Sequence, residues 1–185
     1  MATTQQLANA LKALRKALKD RDIAALRRIS HYTIGMAAID NGEDIFYVSL
    51  AAYMLAKLIT KSHYFRHQGR NEFIAKMIDI IDKALEGLEN SRPDIYGRRI
   101  RQMIMEMREH EIEDPRYVHD LETKSRTKLA TLLYAQGFSL SRAAEITGTH
   151  KRDLLQFAGR TLMADRVGRT KPMAERLSHV RTLFS

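Results

Sequence analysis

Leucine at positions 7, 11, 14 and 18 repeats at the three-and-four spacing that builds one apolar stripe on a helix. Lys12, Arg15, Lys16 and Lys19 fall elsewhere around the same turns, so a first amphipathic helix is predicted. Asp22 is suited to cap a second helix carrying Ile23, Leu26 and Ile29. Ser30 and His31, ahead of "YTIGMAAID", read as a turn or a second capping site. After the break "DNGED", Asp44 is suited to cap a very apolar helix from Ile45 to Ile59. Such a helix must be covered on most sides, which places it at the centre of an N-terminal core. It also carries Tyr53 and Lys57, and the lysine is expected to snorkel outward from a helix edge, a buried functional group being the other reading.

Beyond "HQGRN", Asn71 precedes Phe73, Ile74, Met77, Ile78, Ile81, Ala84, Leu85 and Leu88, a strongly helical period. "NSRPD" breaks the chain again, with Pro93 acceptable in the first turn of a helix defined by Tyr96, Ile100, Met103, Ile104 and Met107. In "EIEDPR", Asp114 and Pro115 suit an N-cap followed by the first helical residue, and a helix from there would end near Gln136 at Gly137. Ser139 is suited to cap a short helix through Thr147, and Thr149 another from His150 to about Met163. "DRVGRTKP" is a basic linker, and Met173, Leu177, Val180 and Phe184 predict a last amphipathic helix. Neither a repeat nor a strand pattern appears, so the fold class is all-α.

Composition agrees with that picture and adds one asymmetry. The chain has 185 residues, 44% of them hydrophobic, with only three prolines, nine glycines and no cysteine. The missing cysteine excludes disulfides, thiolate chemistry and cysteine-type zinc sites, and it fits a cytoplasmic setting. The N-terminal stretch lacks the apolar core of a secretory signal, and the run from Ile45 to Ile59 is shorter than the ~20 residues that span a bilayer. No membrane association is expected. The net charge of +9 is unevenly placed. Residues 1–114 hold 18 Lys/Arg against 16 Asp/Glu, whereas residues 115–185 hold 13 against 6. Two units follow from the break and the charge step together. Residues 1–114 form a helical bundle for dimerisation, partner binding or sensing, and residues 115–185 form a basic segment suited to a polyanion.

Within that basic segment, "SLSRAAEITGTHKRDLLQFAG" meets the demands of a helix-turn-helix in order. Ser139 supplies the cap, and Ala143 and Ala144 the small packing face. Gly148 supplies the turn, and Leu154 and Phe157 hold the second helix down. Leu129, Leu132 and Leu133 furnish a supporting helix before it. The exposed face of the second helix would carry His150, Lys151, Arg152, Gln156 and Arg160. Arginine and glutamine make bidentate contacts to purine edges. Lys151, Ser139 and Ser141 suit phosphates, as does Thr149 at the turn, and Arg142, Arg166, Arg169 and Lys171 would widen the backbone footprint. Asp153 opposes phosphate contact unless it pairs with Arg152 or Lys151 or accepts from a cytosine amine.

On those residues the chain resembles the helix-turn-helix superfamily, most closely small prokaryotic antitoxin-like helix-turn-helix proteins, over about residues 129–165. It departs from their pattern at Thr147 and Thr149, where aliphatic residues are usual. The resemblance implies a sequence-specific DNA-binding regulator, expected as a homodimer because such units usually need two half-sites, with the helix from Met173 to Phe184 either one dimer seam or packed on its own domain. A structured-RNA or ribosome-associated factor, and a helical protein-interaction scaffold, are the alternatives.

No enzyme activity, cofactor or metal is expected. His63 and His67 have i, i+4 spacing but no nearby carboxylate, and Glu106 with His110 is no stronger. All-helical prokaryotic ribonuclease toxins carry an arginine followed by a histidine after four to six residues. Arg27 and His31 have only three between them, and no other arginine and histidine fit.

Overall fold

A computed structural model of the chain describes residues 4–40, 42–60, 69–112 and 121–161. They form helices α1 (Thr4–Lys19), α2 (Ile23–Asp40), α3 (Glu43–Thr60), α4 (Arg70–Glu89), α5 (Pro93–Ile112), α6 (Leu121–Ala135), α7 (Leu140–Thr147) and α8 (Lys151–Thr161). No strand occurs among the described residues, and the protein is all-α. The helix expected from Met173 to Phe184, and the boundary at Asp114–Pro115, lie outside the described residues.

Helix α1 buries Leu7, Leu11, Leu14 and Leu18 with three intervening alanines, against α2 and α4. Its outer face reaches α4 through an Arg15–Asp82 ion pair and a longer Lys12–Glu89 pair at 3.8 Å. Both are solvated, so the leucine stripe, not the charges, holds the helix down. Asp22 caps α2 as the sequence suggests, its Oδ1 accepting from the Ala25 amide at 2.8 Å.

The apolar third helix is the centre of the core. It packs against α1, α2, α5, α6 and α7, and Leu50, Met54, Leu55 and Leu58 have no exposed surface. Two local expectations change around it. Ser30 and His31 form no turn, because α2 continues unbroken through them to Asp40. Ser30 instead meets α3. Ser49 Oγ donates to the Ser30 carbonyl at 2.8 Å, and the two hydroxyl oxygens stand 3.3 Å apart. Small side chains whose polar atoms bond across the seam let the two helices approach without an orphaned group. Asp44 lies inside the first turn of α3, beside Glu43, where carboxylates favour the helix N-terminus.

Helices α4 and α5 form a second antiparallel pair, and Pro93 opens α5 as predicted. They touch at Gly87, where an added Cβ would stand 3.0 Å from Ile95 Cβ and 3.1 Å from the Tyr96 amide nitrogen. A side chain there would force Ile95 or the start of α5 to give by a few tenths of an ångström, so glycine lets the two helices come this close. Tyr96, almost fully buried, donates its hydroxyl to the Asp44 carbonyl at 2.9 Å and ties α5 to the start of α3. Burial, and then the nearby Asp44 charge, push the Tyr96 phenol far above its ordinary range, so it stays a donor.

Helix α6 packs on α2, α3 and α5, and one apolar cluster continues from α1 through Leu129, Leu133, Ala143 and Leu154. The last three helices are therefore seated on the same core as the first five.

Candidate nucleic-acid interface

The stretch singled out in the sequence forms α7, a tight turn and α8. Ser139 has extended backbone (φ −63°, ψ 152°), and its hydroxyl accepts from the Arg142 amide at 3.1 Å. That is an N-cap, as the sequence predicts. At the other end Gly148 takes the left-handed conformation (φ 64°, ψ 29°). The Thr149 amide then donates to the Ala144 carbonyl at 3.0 Å and the Gly148 amide to Glu145 at 3.3 Å, the paired closure of a Schellman motif. Gly137 closes α6 in the same way, with the Phe138 amide donating to Leu133 and the Gly137 amide to Tyr134.

The two positions that depart from the antitoxin-like pattern turn out to work as a pair. Thr147 is fully buried, its Oγ1 2.8 Å from the Ala143 carbonyl and 3.1 Å from Thr149 Oγ1. A hydroxyl bridge spans the turn where apolar side chains would otherwise pack. Thr149 is consequently drawn into the turn and does not cap α8, which begins at Lys151 with the His150 carbonyl accepting from the Leu154 amide at 3.1 Å.

The buried and exposed sides of α8 separate cleanly. Leu154 and Ala158 enter the core and Phe157 packs partly against it. His150, Lys151, Arg152, Gln156 and Arg160 are exposed, and helical spacing puts Arg152 and Gln156 opposite Leu154 and Ala158. Leu155, half exposed at 50%, and Gly159 share that outward side. Asp153 stands in the first turn, where its charge suits the helix dipole. On α7, Ser139 and Ser141 are exposed. Arg142 is partly withdrawn: its Nη2 donates to the Ala38 carbonyl at 3.3 Å, and its Nη1 meets Glu145 at 3.3 Å. It therefore fastens α7 to the end of α2. Arg166, Arg169 and Lys171 lie outside the described residues.

One residue that the sequence did not single out organises the whole turn. Arg126, on α6, donates from Nη1 to the Thr147 carbonyl at 2.9 Å and from Nε to Glu122 at 2.8 Å. Its guanidinium lies 5.2 Å from the Phe46 ring centroid and 5.7 Å from that of Tyr47, both on α3. The i, i+4 pairing with Glu122 was legible on α6. The reach to Thr147 and the aromatic rings was not, since it joins segments far apart in sequence. A pocket of about 330 Å³ opens beside it between the start of α3 and the turn, with Glu43 and Glu145 on its lining.

Among the described residues no three His, Cys, Asp or Glu side chains stand together to hold a metal ion, and no helix is long and apolar enough to cross a membrane. His63 and His67 lie outside the described residues, and Glu106 is engaged by Lys76 of α4. Comparison with protein-family models, with curated proteins and with solved structures finds no match for this chain.

Proposed function

We propose that α6, α7 and α8 constitute a helix-turn-helix and that the protein is a sequence-specific DNA-binding regulator, antitoxin-like in this unit. One observation carries the reading. A capped short helix ends in a left-handed glycine and redirects the chain into a second helix. Its side facing away from the core presents Arg152, Gln156, Leu155 and Arg160 together. Arg152 and Gln156 suit bidentate contacts to guanine and adenine edges, and the half-exposed Leu155 suits a thymine methyl. Lys151, His150, Ser139 and Ser141 flank them at the level of the phosphates, which position the reader without specifying sequence. Seating the unit on the α2–α3–α6 core fixes the aim of α8, which base readout requires.

In this reading residues 1–114 supply the scaffold and a partner or dimer surface, and residues 115–185 the reader. The protein works in the cytoplasm as a homodimer, since two half-sites about 34 Å apart raise both affinity and discrimination over one. No catalytic step belongs to it. The test is to sequence the nucleic acid that co-purifies with the protein from its native cell. Enrichment of a short, two-fold-related DNA sequence supports the reading. Recovery of ribosomal or other structured RNA, indifferent to duplex sequence, refutes it in favour of an RNA-binding factor.

A further inference from the structure

We infer that the outward face of α2 is the seam of a two-fold dimer, in which α2 packs antiparallel against α2 of a second copy of the chain. Between Arg28 and Asp40 this helix holds no Asp, Glu, Lys or Arg on any face. Its inward side buries Leu26, Ile34 and Ala37. The opposite side carries Arg28, Tyr32, Gly35, Met36 and Ile39, at the three-and-four spacing of a second stripe. Tyr32 is 68% exposed and Ile39 77%, more than any other large apolar residue among those described. Between them, nothing stands within 4 Å of where a Cβ on Gly35 would lie. A surface helix turns charged residues outward, and one that is apolar all round is covered. This one leaves a tyrosine, an isoleucine and the gap between them in water.

Two observations make the occupant a second copy. The first is the placement of charge. The charged residues of α2 are Arg27 and Arg28 toward its start and Asp40 as its last residue, and Glu43 and Asp44 open α3 directly after. Arg28 stays mostly exposed although Asp22 stands 3.6 Å away. Glu43 is exposed and makes no ion pair among the described residues. With a two-fold axis beside Gly35 and Met36, Tyr32 of each copy meets Ile39 of the other, and the glycine gap lets the two helices close up. The same register sets the arginine end of each α2 level with the carboxylate end of the other, so Arg28 faces Glu43 on both sides. Parallel packing would oppose like charges instead. The second observation is continuity with the reader. Arg142 of α7 donates to the carbonyl of Ala38, the residue before Ile39, so a seam on the last turns of α2 holds the two α7–α8 units in a fixed relation. The inference rests on the proposed function in one respect: it names the surface that makes the homodimer expected there.

The experiment measures the mass of the full chain by sedimentation equilibrium over a concentration series, without nucleic acid. Wild type should approach twice the chain mass. Tyr32→Lys and Ile39→Lys, at positions the fold leaves exposed, should each raise the dissociation constant of the dimer at least about tenfold. Met105→Lys, at an exposed apolar position on α5, should leave it unchanged. Charge reads the register. Arg28→Glu and Glu43→Arg should each self-associate more weakly than wild type, and an equimolar mixture should recover a dimer, because both ends of the mixed pair then oppose unlike charges. The chain has no cysteine, so Met36→Cys puts one thiol beside the axis in each copy, and mild oxidation should join the two as a disulfide. A wild-type chain that stays monomeric overturns the inference. So does a dimer that is indifferent to Tyr32→Lys and Ile39→Lys and is not joined through Met36→Cys, which would move the seam to another surface such as the segment from Met173 to Phe184. Since no nucleic acid enters these measurements, the seam and the DNA-binding reading can fail separately.

Discussion

Replacing Arg126 by methionine isolates what its guanidinium contributes to the α7–α8 turn. The methionine stem can still cover Phe46 and Tyr47, so packing changes little. Three interactions disappear, one of them the 2.8 Å pair with Glu122. The charge-assisted hydrogen bond to the Thr147 carbonyl, 2.9 Å long on a side chain only 21% exposed, belongs to a class that contributes roughly 1.5–3 kcal/mol. The position over the two α3 rings adds about 0.5–1 kcal/mol. Glu122 is not stranded, because Arg108 still stands 3.5 Å away. Arg126→Met should therefore cost about 2–4 kcal/mol, or roughly 4–16 °C in melting temperature for a chain of this size. Arg126→Lys keeps the charge but cannot serve Glu122 and Thr147 together, and should cost about 1 kcal/mol. Urea unfolding followed by circular dichroism reads both, with the slope in denaturant unchanged. A loss below about 0.5 kcal/mol for methionine, or equal losses for the two variants, would refute the role given to this arginine.

Three further outcomes can be checked in the same way. Gly148→Ala should cost about 1–2 kcal/mol because its φ of 64° is strained for any side chain, whereas Gly159→Ala, with open space around its Cβ, should stabilise by about 0.5–1 kcal/mol; the opposite order in thermal melts would contradict the turn geometry. Ser125 Oγ is buried and has no hydrogen-bond partner among the described residues, so Ser125→Ala should raise stability by about 1 kcal/mol, and a loss of that size would show the hydroxyl is satisfied. His31 binds its proton less tightly in the fold than in the open chain, because of burial, then Lys128 and Arg27. The unfolded chain thus takes up more protons as pH falls through the region around 6.5, so stability should drop there and recover above it. His31→Gln should flatten that slope, and an unaltered pH profile would contradict the lowered proton affinity of His31.

What could be read from the sequence divides along a physical line. Features set by local interactions were legible: the leucine stripe of α1, the caps at Asp22 and Ser139, Pro93 at the start of α5, and the glycines that close α6 and α7. The nearly all-apolar α3 had to be surrounded, and it is. Features set by distant contacts were not. Nothing marks Arg21 or Ser91 as left-handed, yet both end helices with positive φ, because the following helices require the same abrupt closure glycine provides elsewhere. Ser30 and His31 looked like a break because serine favours caps, but a hydroxyl partner on α3 lets the helix continue. Thr149 looked like a cap for α8 and is held by Thr147 instead. Arg142 suited a phosphate and spends a hydrogen bond on Ala38. Arg126, the organiser of the turn, was only one more cation on an amphipathic helix until its partners were brought within reach.

The central claim is that the outward side of α8 reads base edges. It is tested most directly by measuring affinity for the enriched duplex and for a scrambled one, comparing wild type with Arg152→Ala and Lys151→Ala. The account predicts that Arg152→Ala loses about 1–3 kcal/mol on the enriched duplex and little on the scrambled one, while Lys151→Ala weakens both alike and lowers the salt slope by about one. If both variants bind both duplexes as wild type does, α8 is not the reader.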